Sequence, residues 1–282
     1  HLLLCVSQPY RLDRPTRERF ITHHHQLHIN NDNRKQFILL FSGASYSQLT
    51  NPNYYELLLK EVKHYPQNFF NSIEKDICRT FSNENGLQGH LRNVLCAYAI
   101  RNPRLLYCQG LNYLVAYFLM RDYSEQQSFW LLVQLVEEIL PVDYYVDMGA
   151  VVAMSSVLSD LFPETIVGFV EYCQNIGLET SFFLVPWLIC LYTKGFSSSL
   201  SNFIMECIMI ERELALVKTA LTLLKIVVPK ISDCEDFGTF MKDLEMKVPS
   251  VSVKEFKFVY DSIYLNRYFF KVLFDNYLKE YW

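Results

Sequence analysis

An all-α fold is predicted by three features of this 282-residue sequence. Apolar residues recur at helical spacing from residue 34 onward, as at Leu91, Val94 and Tyr98, which share one helix face. The sequence shows no alternation of strand and helix patterns, no Gly-rich phosphate loop and no fixed-period repeat. The breaks between helical patterns are short, which is typical of helical domains.

Turn-forming and capping residues divide the chain into helical segments. The turn Asn51-Pro52-Asn53 precedes the first, and Asn102-Pro103 ends the second, because a residue before proline disfavours helical backbone. Ser124 is a candidate N-cap that forms a capping box with Gln127, and Pro141 ends that helix. The predicted segments are 54–64, 90–101, 111–120, 124–140, 147–161, 164–175, 180–193, 198–210, 213–228, 233–246, 252–264 and 266–280.

Two segments in the second half depend on weaker signals. Pro163 fits the first turn of the segment 164–175, and Gly177 fits its C-terminal exit. Ser252 and Glu255 form a candidate capping box for 252–264, although the aromatic and β-branched content of 256–264 also permits a strand.

Composition excludes several classes of protein. The net charge of −4 argues against a nucleic-acid partner, which usually requires a basic surface. The longest apolar runs, Leu111–Met120 and Phe182–Tyr192, are shorter than the roughly 20 residues that span a bilayer. Eight cysteines without a C-x-x-C pair are typical of reduced, buried thiols in an intracellular protein.

The N-terminal residues 1–33 are polar and irregular, and we expect them to be a lead-in to the helical domain. Because the chain starts at His1 rather than Met, it is expected to be a piece of something longer. His23, His24, His25 and His28 lack acidic or cysteine partners at ligand spacing, so a solvated loop is favoured over a metal site.

Two polar residues near breaks in the helical pattern are candidates for chemistry. Arg79 precedes a stretch rich in turn formers, and Gln109 precedes the apolar helix that opens near Leu111. An arginine on a fixed base can project its permanent charge into another protein's active site. A glutamine amide can donate to one oxygen and accept from another, which suits it to position a water. Together these are the two groups that a slow GTPase needs.

A structural explanation of the same residues is also open. Ile73 and Asp76 are neighbours on one helical turn, so Ile73 can anchor the turn while Asp76 forms an ion pair with Arg79. In that explanation Gln109 satisfies buried backbone groups. Spacing alone favours this alternative. A thiol nucleophile at Cys78 or Cys108 is weaker still, because neither has a histidine nearby in sequence.

The order of motifs around these residues resembles the TBC domain, the Rab GTPase-activating family. The phrases Ile73-x-x-Asp76-x-x-Arg79-Thr80 and Tyr107-x-Gln109-Gly110 match its two signature motifs. Further similarity lies in Leu91–Leu95, Arg101-Asn102-Pro103 and Phe129–Leu132, and the resemblance covers about residues 34–230.

The resemblance implies a two-lobed, all-α domain over 34–282, with an N-terminal lobe of about 34–162 and a C-terminal lobe of about 163–282. It implies an activator of a GTP-bound Rab-family GTPase rather than an independent enzyme. Arg79 and Gln109 would be its catalytic fingers. GTP and Mg²⁺ would belong to the partner, so the chain itself would need no cofactor or metal.

The remaining motif residues would support the fingers. Ile73 would anchor the turn in the core, Asp76 would orient the arginine segment, and Tyr107 and Gly110 would shape the glutamine loop. The expected location is cytoplasmic and peripheral on endomembranes, without a transmembrane segment.

Departures from the family pattern leave partner choice open. Arg34–Phe37 stands where Arg-Gly and a Trp are common, and Phe203–Cys207 where a Trp-Asp-x-Phe-like phrase is usual. A TBC-fold scaffold that binds a Rab or an effector without stimulating hydrolysis is the alternative function.

Overall fold

The computed structural model describes residues 31–81, 86–231 and 234–281. Its described residues form helices and no strand, which confirms the all-α class. The α-helices are α1 (Asn31–Ser42), α2 (Ala44–Thr50), α3 (Tyr54–Val62), α4 (Asn71–Thr80), α5 (Gln88–Arg101), α6 (Leu111–Leu119), α7 (Glu125–Gln134), α8 (Gly149–Thr165), α9 (Phe169–Asn175), α10 (Ser181–Ile189), α11 (Ser198–Glu211), α12 (Glu213–Val227), α13 (Phe237–Lys247), α14 (Val253–Ser262) and α15 (Arg267–Tyr281). The polar histidines of the lead-in lie outside the described residues.

The predicted capping signals are found where the sequence places them. The Ser124 side chain accepts from the Gln127 amide at 3.1 Å while the Gln127 side chain accepts from the Ser124 amide, so α7 begins with a complete capping box. A π-helical turn, Leu135–Ile139, continues α7. Ser252 caps α14 by accepting from the backbone amide of Glu255. The Glu255 side chain accepts from Lys230 instead, so only the N-cap half of the second predicted capping box forms.

The predicted place of Pro163 is wrong. Pro163 lies near the C-terminal end of α8 rather than opening the next helix, since only a final turn follows it and the Ile166 amide still bonds to Phe162. Gly168, with a φ of 79°, makes the turn into α9. Residues 162 and 163 both belong to α8.

The alternative strand at 256–264 is replaced by α14. Phe256 and Tyr260 are four residues apart, both are buried, and their rings stack with centroids 5.5 Å apart. Helical spacing puts both rings into the core, and this packing outweighs β-propensity.

The chain divides into two compact units, and the first ends at Val146. In that unit α5 packs against α3, α4, α6 and α7. Its core includes the fully buried Leu91, Leu114, Phe118 and Phe129. Because α4 packs against both α5 and α6, the end of α4 and the start of α6 are positioned together.

The second unit begins at Asp147 and is organised around the buried helix α12, which contacts α8, α11 and α14. Three buried polar side chains form a cluster that includes Lys218 of α12. Tyr260 donates to Glu211 at 3.0 Å, and the Lys218 Nζ lies 3.4 Å from the same carboxylate. The last helix, α15, packs against α8.

Among the described residues, no single helix has the length and apolar character to cross a membrane; α8 and α9 satisfy those criteria only as a pair, bent by 114°.

Candidate functional site

The last turn of α4 carries the arginine of the candidate site. Ile73 and Ile77 are fully buried and anchor the helix, whereas Arg79 leaves half of its side chain exposed. The helix continues through Thr80, so Arg79 lies inside its last turn and not in the break after it. A cation is favoured there by the partial negative charge of the helix C-terminus.

Asp76 is the buried acceptor at the centre of the site. Its Oδ1 accepts from the Arg79 Nη2, and its Oδ2 accepts from the Tyr107 hydroxyl at 2.5 Å. Burial, followed by the hydrogen bond to Asp76 and the charge of that carboxylate, raises the pKa of Tyr107 well above its usual range. The tyrosine therefore remains a neutral donor. The ion pair of the structural explanation is present, and it is tied to the second motif.

The segment that carries Gln109 begins with a tight turn at the end of α5. The Leu106 amide donates to the Asn102 carbonyl at 2.8 Å, and the Leu105 amide donates to the Asn102 Oδ1 at 3.2 Å. Gly110, with a φ of 118°, is the last residue before α6. That φ favours glycine, since an L side chain rarely adopts it.

The Gln109 residue is exposed, and its side chain has no hydrogen bond within the described part of the chain. Gly110 beside it is buried. The glutamine amide is therefore available to an outside partner, and it does not satisfy buried backbone groups as the structural explanation required.

A second chain of hydrogen bonds joins α4 to the glutamine segment. The Thr80 hydroxyl donates to the Asp76 carbonyl at 2.5 Å and accepts from the Asn112 Nδ2 at 2.7 Å. The Asn112 Oδ1 accepts from the Gly110 amide at 2.9 Å. Two independent connections therefore hold the segments of Arg79 and Gln109 in a fixed relation.

Sequence reasoning gave no role to Thr80 or Asn112. Asn112 is completely buried in α6, which was expected to be apolar on all sides. One amide residue in an otherwise apolar or aromatic run was the sequence signal that could have identified Asn112. A buried amide requires hydrogen-bond partners, so its presence there indicates a polar contact inside the core.

Known proteins match this chain in sequence and in fold. The model of the Rab-GTPase-TBC domain matches residues 28–232. The chain belongs to the Rab-GTPase-TBC domain family. This confirms the resemblance seen in the motifs.

Relatives of this TBC chain include two growth hormone-regulated TBC proteins. Protein 1 of Xenopus laevis is 29% identical over 205 residues, which are 70% of this chain and 60% of the relative. Protein 1-A of Danio rerio is 31% identical over 236 residues, covering 76% of this chain and 65% of the relative. The chain thus spans less than two thirds of the length of either.

A solved structure shares the fold of this TBC chain. The Chlamydomonas flagellar RabGAP TBC domain has a TM-score of 0.75 and is 23% identical, with coverage of 87% of this chain and 83% of that domain.

Two thiols lie next to Arg79 and Gln109 in the sequence of this TBC chain. Cys78 is exposed, whereas Cys108 is partly buried, and burial together with the charge of Asp76 raises the pKa of its thiol. A raised pKa makes Cys108 a poorer nucleophile at neutral pH. The described residues contain no cluster of three or more potential metal-ligating His, Cys, Asp or Glu side chains.

Proposed function

We propose that this TBC chain accelerates GTP hydrolysis by a GTP-bound Rab-family small GTPase, with Arg79 and Gln109 acting in the partner's nucleotide site. One observation carries the proposal. The two side chains are exposed, yet the segments beneath them are joined by the Asp76–Tyr107 bond and by the bonds through Thr80 and Asn112. Exposed side chains on segments that are held rigidly are suited to act in the active site of another protein.

Arg79 would neutralise charge that develops on the transferred phosphoryl group. Its guanidinium stays charged at any physiological pH and has five N–H donors, so it can keep one bond to Asp76 while others reach phosphate oxygens. Asp76 would thus hold the arginine side chain and not compete with the substrate. Ile73, fully buried six residues before Arg79, would fix the helix from which the arginine projects.

Gln109 would orient the attacking water, because its amide can accept from the water and donate to a phosphate oxygen. Tyr107 and Gly110 would set the direction of this segment, one by its bond to Asp76 and the other by its positive φ. GTP and Mg²⁺ would be supplied by the partner, and the chain would need no cofactor of its own. The same proposal locates the activity in the cytoplasm and peripherally on endomembranes.

Substitution of Arg79 tests the arginine role. Arg79→Ala and Arg79→Lys should each reduce acceleration by about 10³–10⁵, as measured by phosphate release from a panel of GTP-loaded Rabs. The fold should survive in both variants, because the buried Asp76 keeps its bond from Tyr107. The free energy of unfolding should fall by at most about 1.5–3 kcal/mol, the contribution of one hydrogen bond to a charged group.

Arg92 provides a matched control for Arg79. It is similarly exposed and also pairs with a carboxylate on α4, that of Glu74, at 2.6 Å. Arg92→Ala should leave acceleration within about twofold of the unchanged chain, because it removes only a surface ion pair, which contributes little to stability. Activity that survives Arg79→Lys, or falls equally in both arginine variants, contradicts the arginine assignment.

The role of Gln109 is tested separately. Gln109→Ala should abolish acceleration of a Rab whose own switch glutamine has been replaced, because neither protein would then position the water. Gln67→Ala, which alters another exposed glutamine of the first unit, is the control and should have no effect. Stable binding of GTP-loaded Rab without faster phosphate release would instead identify the chain as a scaffold.

A further inference from the structure

Leu106 combines an unfavourable backbone with an exposed apolar side chain. Its φ is 57°, in the left-handed region where the Cβ of an L residue crowds the backbone, and 40% of the residue is exposed. Branched apolar residues are uncommon in this conformation, so the combination requires an explanation.

Three other residues with positive φ show how this strain can be offset. Leu191 and Tyr192 are fully buried, and Tyr192 also donates to the Leu216 carbonyl at 2.7 Å. Asn53 is of a type that tolerates the left-handed region. Leu106 has neither the full burial nor the polar side chain that compensates at those positions.

The turn around Leu106 is well defined, so its exposure does not reflect a loose segment. Leu105 is buried, and both Leu105 and Leu106 donate their amides to Asn102. Arg104 pairs with Asp143 at 2.7 Å and ties the turn to a second segment of the same unit. The leucine side chain is thus held at the surface by backbone geometry.

We propose that Leu106 is a partner-contact residue that packs against an apolar surface of the GTP-loaded GTPase and helps to select it. This inference rests on the proposed function. Tyr107 follows Leu106 directly, and Gln109 lies three residues on, at most about 11 Å away along an extended chain. A standard interface covers about 800 Å² on each partner, a disc of about 16 Å radius. A GTPase that receives Gln109 near the centre of its contact surface therefore also covers Leu106.

Two substitutions separate the side chain from the backbone. Leu106→Asn removes the apolar surface but keeps a residue that accepts positive φ, and Leu106→Met keeps an apolar side chain. Leu57→Asn is the control, because Leu57 is an exposed leucine in the regular helix α3 of the same unit.

The measurements are the dissociation constant for GTP-loaded Rab, the KM and kcat of acceleration, and the melting temperature. Leu106→Asn should weaken binding and raise KM by about three- to eightfold. That factor corresponds to the free energy gained when the exposed 40% of a leucine side chain is buried. Its kcat should stay within about twofold and its melting temperature should not fall, because strain is relieved. Leu106→Met and Leu57→Asn should both resemble the unchanged chain.

Several outcomes would overturn the inference. They are unchanged binding in Leu106→Asn, a loss confined to kcat, or an equal loss in Leu57→Asn. The dissociation constant distinguishes failure of the Leu106 inference from failure of the proposed function. If the unchanged chain binds a GTP-loaded Rab without accelerating it, activation is refuted, while Leu106 is still tested by binding. If it binds no GTPase of the panel, both proposals are overturned.

Discussion

Replacing Tyr107 with Phe removes a single hydroxyl and tests the bond that joins the two motifs. That hydroxyl donates to the Oδ2 of the buried Asp76 at 2.5 Å. A hydrogen bond to a charged group contributes about 1.5–3 kcal/mol, and its loss leaves the carboxylate oxygen without that donor. Because the ring itself is kept, the free energy of unfolding should fall by about this amount and not by the larger cost of a cavity.

The effect on activity has an upper bound from the same figure. If the whole 1.5–3 kcal/mol were lost in the transition state, kcat/KM would fall by about 10- to 150-fold, at 1.36 kcal/mol per decade. We expect a loss within that range, mainly in kcat, because Gln109 would be less well held. Phosphate release with a GTP-loaded Rab and thermal unfolding measure the two effects.

Tyr55→Phe is the matched control for this prediction. The Tyr55 hydroxyl donates to the Glu125 Oε2 at 2.7 Å, so it makes the same kind of bond in the same unit but outside the two motifs. It should lose comparable stability and retain kcat/KM. The reasoning is refuted if Tyr107→Phe keeps its stability and activity, or if Tyr55→Phe loses as much activity.

Three further predictions concern pH, thiol reactivity and packing. Because the pKa of Tyr107 is raised in the folded chain, the unfolded chain loses that proton first, and stability should fall above about pH 10. In Tyr107→Phe the free energy of unfolding should decrease less steeply with pH, by up to about 1.4 kcal/mol per pH unit. Unfolding measured from about pH 9 to 11.5 checks this slope. A maleimide should modify the exposed Cys78 before Cys108, because burial raises the pKa of the Cys108 thiol. Modification of Cys78 should also reduce Rab activation. Mass spectrometry that shows Cys108 modified first would contradict this prediction. A Cβ on Gly149 would lie 2.7 Å from the Tyr281 ring, so Gly149→Ala should lower the melting temperature. In a Tyr281→Ala background the loss should be much smaller, because only the Asp147 Oδ1, at 3.2 Å, remains close. A loss of similar size in both backgrounds would exclude the steric explanation.

The helix class could be predicted because apolar periodicity and capping are local. The Ser124 cap and its Gln127 partner are three residues apart and need no tertiary information. The prediction for Pro163 was wrong because proline favours the first turn of a helix, whereas here it lies two residues before the end of α8 and cannot donate a backbone hydrogen bond there. Only the turn at Gly168 decides where α8 ends, and glycine there is compatible with both alternatives.

The candidate site was predictable as residues but not as contacts. The motifs identify Asp76, Arg79, Tyr107 and Gln109, yet spacing cannot show that Tyr107 donates to Asp76 across 31 residues. The same limit hid Asn112, whose partners come from the end of α4 and from the backbone of the glutamine segment. Such contacts depend on how α4 packs against α6, which is a tertiary property.

The geometry also explains why a structural ion pair and a catalytic arginine need not be alternatives. Asp76 uses one oxygen for Tyr107 and the other for Arg79, so the arginine is held by a carboxylate that is itself fixed by the second motif. Ordering a long side chain before binding lowers the entropy cost of placing it in a partner's site. In the proposed reaction, the ion pair that spacing alone would assign to stability is what places Arg79 in register with Gln109.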